Sequence, residues 1–302
     1  MYTHLQTEMM CTADAYVLHV RVYVLCAVFG EPQGTYWEEY GVYFGDDSWI
    51  HSQIVSVIAN GTASGVNTKE LAVSINGALI DALQLGAAIA FFEDARENLV
   101  LGLENPQLMN LDDVKYSALE DWDIGWALLH GADDLDHPKG ITPTDGIYNG
   151  CAPYGTLEST SASFGKYDDA VGAVRTYIEV GRETIMAIEA YEELEDTISD
   201  VEFLLVSIVE AFVVTHLRQV ALSAENYAST SKPSSAWIPK LLSSVRVIVP
   251  VLDAVSPDTA TVLENQLESI DADAVSEAIT AILPELEVDL EDFGKINMKI
   301  VP

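Results

Sequence analysis

Apolar residues recur along this chain at helical spacing, and strand-like alternation is sparse. Behind Asp46 and Asp47, the segment Ser48 to Ala59 places Trp49, Ile50, Ile54, Val57 and Ile58 in helical register, and Asn60-Gly61 supplies a stop. A long helix is expected from Asn67 or Thr68 through Leu99, where Leu71, Ile75, Leu79, Leu83, Ala87 and Phe91 follow one another every four residues. Gly77 and Gly86 inside it lower helix propensity, which marks them as points of close helix contact. A third helix is expected from Asp112 to Gly131.

The stretch Ala132 to Lys166 breaks the pattern with Pro138, Pro143, Pro153 and a series of glycines, and it reads as a long ordered loop stapled to the bundle by Tyr148, Tyr154 and Phe164. Helical periodicity returns from Tyr167 to about Tyr227, as two helices separated near Asp196 to Asp200. Their core-like residues are Val174, Ile178, Ile185 and Ile188, then Phe203, Leu204, Ile208 and Phe212. Ala228 to Ser235 reads as a linker. Three shorter helices follow, about Ala236 to Val255, Pro257 to Ile270 and Asp273 to Leu283, and Pro284 to Pro302 reads as an extended tail. The expected fold is therefore an all-α multi-helix bundle with a long Gly/Pro-rich loop. Residues 1–230 would form the bundle, and 236–302 an added helical segment and tail.

Composition sharpens the picture. The 302 residues are 49% hydrophobic, enough for a substantial core, yet Asp+Glu number 48 against Lys+Arg 14, a formal net charge of -34. Nucleic-acid binding requires clustered Lys and Arg and is excluded as an expectation. The most apolar run, Tyr16 to Phe29, is short for a membrane span and carries His19 and Arg21, so it reads as a buried helix. The first residues, MYTHLQTE, lack the basic and apolar regions of a signal peptide. Cys11, Cys26 and Cys151 have no C-x-x-C spacing and leave one bridge or three free thiols as alternatives; Asn60-Gly61-Thr62 is a lone glycosylation sequon.

One region carries a resemblance. Asp121-Trp-Asp-Ile-Gly-Trp-Ala-Leu-Leu-His-Gly131, an acidic loop, Cys151-Ala-Pro-Tyr-Gly-Thr-Leu-Glu-Ser-Thr-Ser-Ala-Ser-Phe-Gly-Lys166 and a helix closing with Tyr177-Ile-Glu-Val-Gly181 resemble the low-iron-inducible periplasmic proteins of algae, also called iron-assimilating or high-CO2-inducible extracellular proteins. Trp37-Glu38-Glu39-Tyr40-Gly41-Val42-Tyr43-Phe44-Gly45 looks like a second, partial copy of the helix-to-glycine element, with Trp37-Glu38 corresponding to Asp123-Ile124. Ser161-Ala162-Ser163-Phe164-Gly165 stands where that pattern has a basic residue and Asn before Phe-Gly. The resemblance implies an extracellular or periplasmic, non-enzymatic protein of iron assimilation.

Ferric iron favours hard oxygen ligands with an occasional imidazole. On that chemistry the candidate metal ligands are Glu38, Glu39, His51, Asp123 and His130, with Tyr40, Asp46 and Asp47 beside the first copy and Asp133, Asp134, Asp136 and His137 after the second. A di-iron bundle is not expected: Glu189, Glu192 and Glu193 share a helix face, but no Glu-x-x-His occurs. No nucleophile elbow, P-loop or dinucleotide fingerprint is present, so no catalytic role is expected. The alternative is a structural or assembly subunit, acidic and rich in apolar helix surface, that docks on a larger complex or surface layer.

Overall fold

A computed structural model of the chain describes residues 35–45, 83–131, 153–229, 237–266 and 270–295. They build helices α1 (Thr35–Phe44), α2 (Leu85–Glu104), α3 (Leu111–His130), α4 (Pro153–Ser163), α5 (Tyr167–Met186), α6 (Leu194–Ser229), α7 (Trp237–Val255), α8 (Pro257–Asn265), α9 (Ala272–Ile282) and α10 (Leu290–Phe293). No strand occurs among the described residues, and the expected all-α multi-helix bundle is what forms. The helix expected at 48–59, the acidic loop 132–152, the three cysteines and the sequon lie outside the described residues.

Local chemistry sets most helix ends. Asn110 opens α3 by accepting the Asp112 N–H at 3.2 Å; Asp112 and Asp113 complement the helix dipole, and Gly131 at φ 80° ends it. Asp271 opens α9 by accepting the N–H groups of Asp273 and Ala274. At the end of α4 the Lys166 N–H reaches Ser161 O at 2.9 Å and the Gly165 N–H reaches Ala162 O at 3.1 Å. That pairing is a Schellman cap, with Gly165 in the left-handed region at φ 71°.

Four expectations are corrected. The second half of the presumed loop, from Pro153, is helix α4; its apolar periodicity is weak because it is buried on nearly every side, with small polar residues at Thr160, Ser161 and Ser163. Tyr154 and Phe164 are buried in the bundle, and Tyr148 lies outside the described residues. The break between α5 and α6 falls at Ala187 to Glu193, ahead of Asp196, because the Glu193 carboxylate accepts the N–H groups of Glu189 (2.7 Å) and Ala190 (3.2 Å). Asp196 and Ser199 are left inside α6, where the Ser199 hydroxyl donates back to Glu195 O. Phe203 is 68% exposed, since it lies about 100 to 180° around the helix from buried Leu204, Ile208 and Phe212. The presumed tail folds back through a turn at Leu283–Val288 into α10, which buries Phe293; residues 296–302 lie outside the description.

α2 and α3 form the closest pair, an antiparallel hairpin joined by residues 105–110. Gly102 lies against Val114 and Gly125 against Phe92, so a β-carbon at either would sit 2.6 or 2.7 Å from those side chains. α5 then lies along α3. Trp122 is fully buried there, with its ring 4.7 Å from Phe92, its Nε1 donating to Ile178 O at 3.0 Å, and its edge in a notch left by Gly181. α6 spans 36 residues, about 54 Å at 1.5 Å per residue, and packs against α2, α4, α5, α7 and α9. α7 to α9 share its core, and the Tyr40 hydroxyl donates to Val247 O, tying α1 to α7.

Gly181→Ala places its methyl carbon 2.1 Å from Trp122 Cζ2, and the overpacking is expected to destabilise the fold by about 3 kcal/mol in urea denaturation. Gly172→Ala on the same helix meets nothing within 4 Å and is expected to stabilise by up to about 1 kcal/mol. Equal effects of the two substitutions would refute the notch.

Candidate functional site

Of the predicted metal ligands, the structure describes the side chains of Asp123 and His130. Glu38 and Glu39 belong to α1, which packs on α2 and α7; the placement of their side chains and all of His51 lie outside the described residues. Asp123 faces α5, where its carboxylate is paired with Arg182 Nε at 2.9 Å. His130, the last residue of α3, packs on the rings of Trp126 and Tyr154, at 4.6 and 5.1 Å between centroids. The two share a side of α3 as the spacing requires, but they are about 10 Å apart along its axis and engaged by different helices. Among the described residues no three His, Cys, Asp or Glu side chains converge as a metal site would require.

A closer acid pair lies between α2 and α3. Asp121 accepts a hydrogen bond from Asn98 at 2.7 Å, and burial together with the charge of Asp94 pushes its carboxyl up to about 6. Asp94 is raised as well, by burial and by Glu97.

A buried polar layer joins α4, α6 and α10. Arg218 donates through Nε to Phe293 O (2.9 Å), through one terminal nitrogen to Asp292 O (2.8 Å), and through the other to Ser161 Oγ (3.3 Å), with its guanidinium over the Phe293 ring. Thr160, Gln219 and Ser223 continue the chain of hydrogen bonds, and Tyr167 donates to the buried Glu158. Further along α6, burial pushes His216 down to about 4, so it is neutral at physiological pH, 3.4 Å from Ser244 Oγ. Arg218, Ser161, Thr160, Gln219, Ser223, Glu158 and His216 are buried, and the layer fixes the position of α10.

The opening lies elsewhere, where α2, α6 and α7 meet the turn before α10. A groove of about 420 Å³ is floored by Ile89, Leu205, Val209, Val213, Val251 and Leu286, with Val206 and Val255 at its mouth. Four carboxylates line it: Glu93 on α2, Glu210 on α6, and Glu285 and Glu287 on the turn. Glu287 holds a left-handed backbone at φ 54°, a conformation uncommon for any residue but glycine. Partial burial, reinforced by the Glu287 charge, raises the Glu210 carboxyl. Sequence patterning misses the groove because its walls come from three helices and a turn up to 198 residues apart, Ile89 to Glu287. The one local signal is the apolar run Phe203 to Val206, wider than a single buried stripe.

Asp121→Asn should act in a pH-dependent way. The folded carboxyl titrates near 6 against 3.8 for the free group, so the folded state binds more protons in that window and loses stability as pH rises through it. The variant is expected to be more stable by about 1 kcal/mol at pH 7.5, after discounting for partial exposure, with the gain gone by pH 3.5. Thermal melts at the two pH values measure it; a gain that persists in acid would mean packing, not charge. No family model, curated protein or solved structure matches this chain.

Proposed function

We propose that this chain is a non-enzymatic docking subunit, which seats a partner in the groove between α2, α6 and α7. The observation that carries this reading is an open groove walled by apolar side chains of α2, α6 and α7, whose mouth leaves Val206 49% and Val255 45% exposed. A net charge of -34 favours solubility of the isolated chain, and a concave surface walled by apolar side chains is the kind that a partner covers in an assembled state.

Val206→Asp puts a charge at the mouth of the groove and, on an exposed helix position, should change folding stability by no more than about 0.5 kcal/mol. In extracts of its own cells, light scattering after native chromatography should find the parent chain in a complex well above its own 32.9 kDa, unaffected by chelator. The Val206→Asp chain should run alone. A parent chain at its own mass, or a variant that stays in the complex, would refute the docking reading.

Iron assimilation outside the cell, the reading implied by the algal resemblance, has one supporting observation. Asp94 and Asp121 both resist ionisation at the α2–α3 interface, and a bound cation would relieve their repulsion. Under that reading, equilibrium dialysis against ferric citrate gives uptake by the parent that falls at least fivefold in Asp94→Asn, Asp121→Asn or in Glu38→Gln, Glu39→Gln, Asp123→Asn. No uptake by the parent removes iron from consideration.

A further inference from the structure

We infer that the occupant of the groove is a basic amphipathic helix of a partner protein, with apolar anchors on the valine floor and a Lys or Arg between Glu210 and Glu287. The inference rests on the docking reading and names the partner's chemistry. Three features of the groove select it.

Length comes first. From Leu205 to Val213 the α6 wall runs about 12 Å, close to the 10.5 Å that separates residues i and i+7 of a helix, so three apolar anchors at i, i+3 or i+4, and i+7 fill it. The groove is open along Val206 and Val255, which admits a helix lying across it and does not require entry through a narrow mouth.

Charge comes second. Glu210 and Glu287 line the groove together with Glu93 and Glu285, and the Glu287 charge adds to partial burial in raising the Glu210 carboxyl. A cation set between Glu210 and Glu287 removes that repulsion as it is desolvated, while an anionic or neutral helix would leave it in place.

The third feature excludes a second copy of this chain. Two copies each at -34 would meet carboxylate to carboxylate at the rim, and like-charge juxtaposition at an interface costs several kcal/mol. The complementary partner is therefore basic where it enters.

The test uses the full chain and an 18-residue model helix of Leu and Lys, Leu on one face, titrated by calorimetry in 0.3 M salt. Because so acidic a protein attracts any polycation, two controls are needed: a peptide of the same composition scrambled to destroy the apolar face, and the variant Glu104→Gln, Asp113→Asn at the α2–α3 turn. The amphipathic peptide should bind one to one. Its affinity should fall at least tenfold in Glu210→Gln, Glu287→Gln and in Val206→Asp, and should change less than twofold in the Glu104, Asp113 variant. Equal binding of the scrambled peptide, or equal loss in both charge variants, would mean diffuse attraction and overturn the inference. If Val206→Asp releases the native complex but Glu210→Gln, Glu287→Gln leaves both complex and peptide binding intact, docking stands and the basic helix is refuted. A small organic amine such as octylammonium that binds one to one and displaces the peptide's site in full at equal concentration would also overturn it.

Discussion

Everything in the first half of the bundle depends on how closely α5 approaches α3, and that distance is set by one indole in one glycine notch. Trp122 fills the space that a side chain at Gly181 would take, and its N–H bonds to a helix carbonyl, Ile178 O, which leaves no polar atom of the ring unpaired in a dry core. The same ring packs on Phe92, so a single side chain couples α2, α3 and α5. Gly102 and Gly125 repeat the device along the α2–α3 seam. Close approach of this kind gains dispersion contacts that Leu-to-Leu packing at ordinary separation cannot match, and it fixes register, because the notch admits the ring at one position only.

The second half is organised by a different constraint. α6 is surrounded on nearly all sides from Thr215 to Ala224, so Arg218, Gln219 and Ser223, with Asn226 just beyond, are carried into the interior with the helix and each must find a partner. α4 supplies Thr160 and Ser161, and α10 supplies backbone carbonyls at its C-terminal end, where the dipole favours a cation. α10 is therefore held by Arg218 and by edge-to-face packing of Phe293 on Phe164, at 5.4 Å between centroids. The turn that leads into α10 brings Glu285 and Glu287 to the groove, so the polar layer and the docking site are linked through α10 and the segment before it.

An acid surplus of this size bears on function more through what it excludes than through any single pair. Salt screens exposed carboxylates from one another beyond about 8 Å at physiological ionic strength, so they are tolerated at the surface. At the groove Glu210, Glu285 and Glu287 are exposed beside apolar side chains, and a cationic partner that covers them takes the charges out of water, where screening weakens and the pairing gains more.

Fold class was legible in the sequence because it follows from periodicity: apolar residues every three to four positions commit a segment to helix whatever it later packs against, and Asn110, Gly131, Gly165 and Asp271 mark ends through bonds to their own neighbours. Where local signals were weak or rival, packing decided. α4 lacks an apolar stripe because it has no outer face, the α5–α6 break follows the reach of one Glu193 carboxylate, and the folded C-terminal turn depends on Arg218, 74 residues before Asp292. The candidate ligands Asp123 and His130 could be placed on one side of α3 by counting, but their partners could not, since Arg182 and Tyr154 come from other helices. The groove is the extreme case. Its walls are brought together by tertiary contact alone, and periodicity, which reports only what neighbours on one helix share, carries no information about which helices will stand side by side.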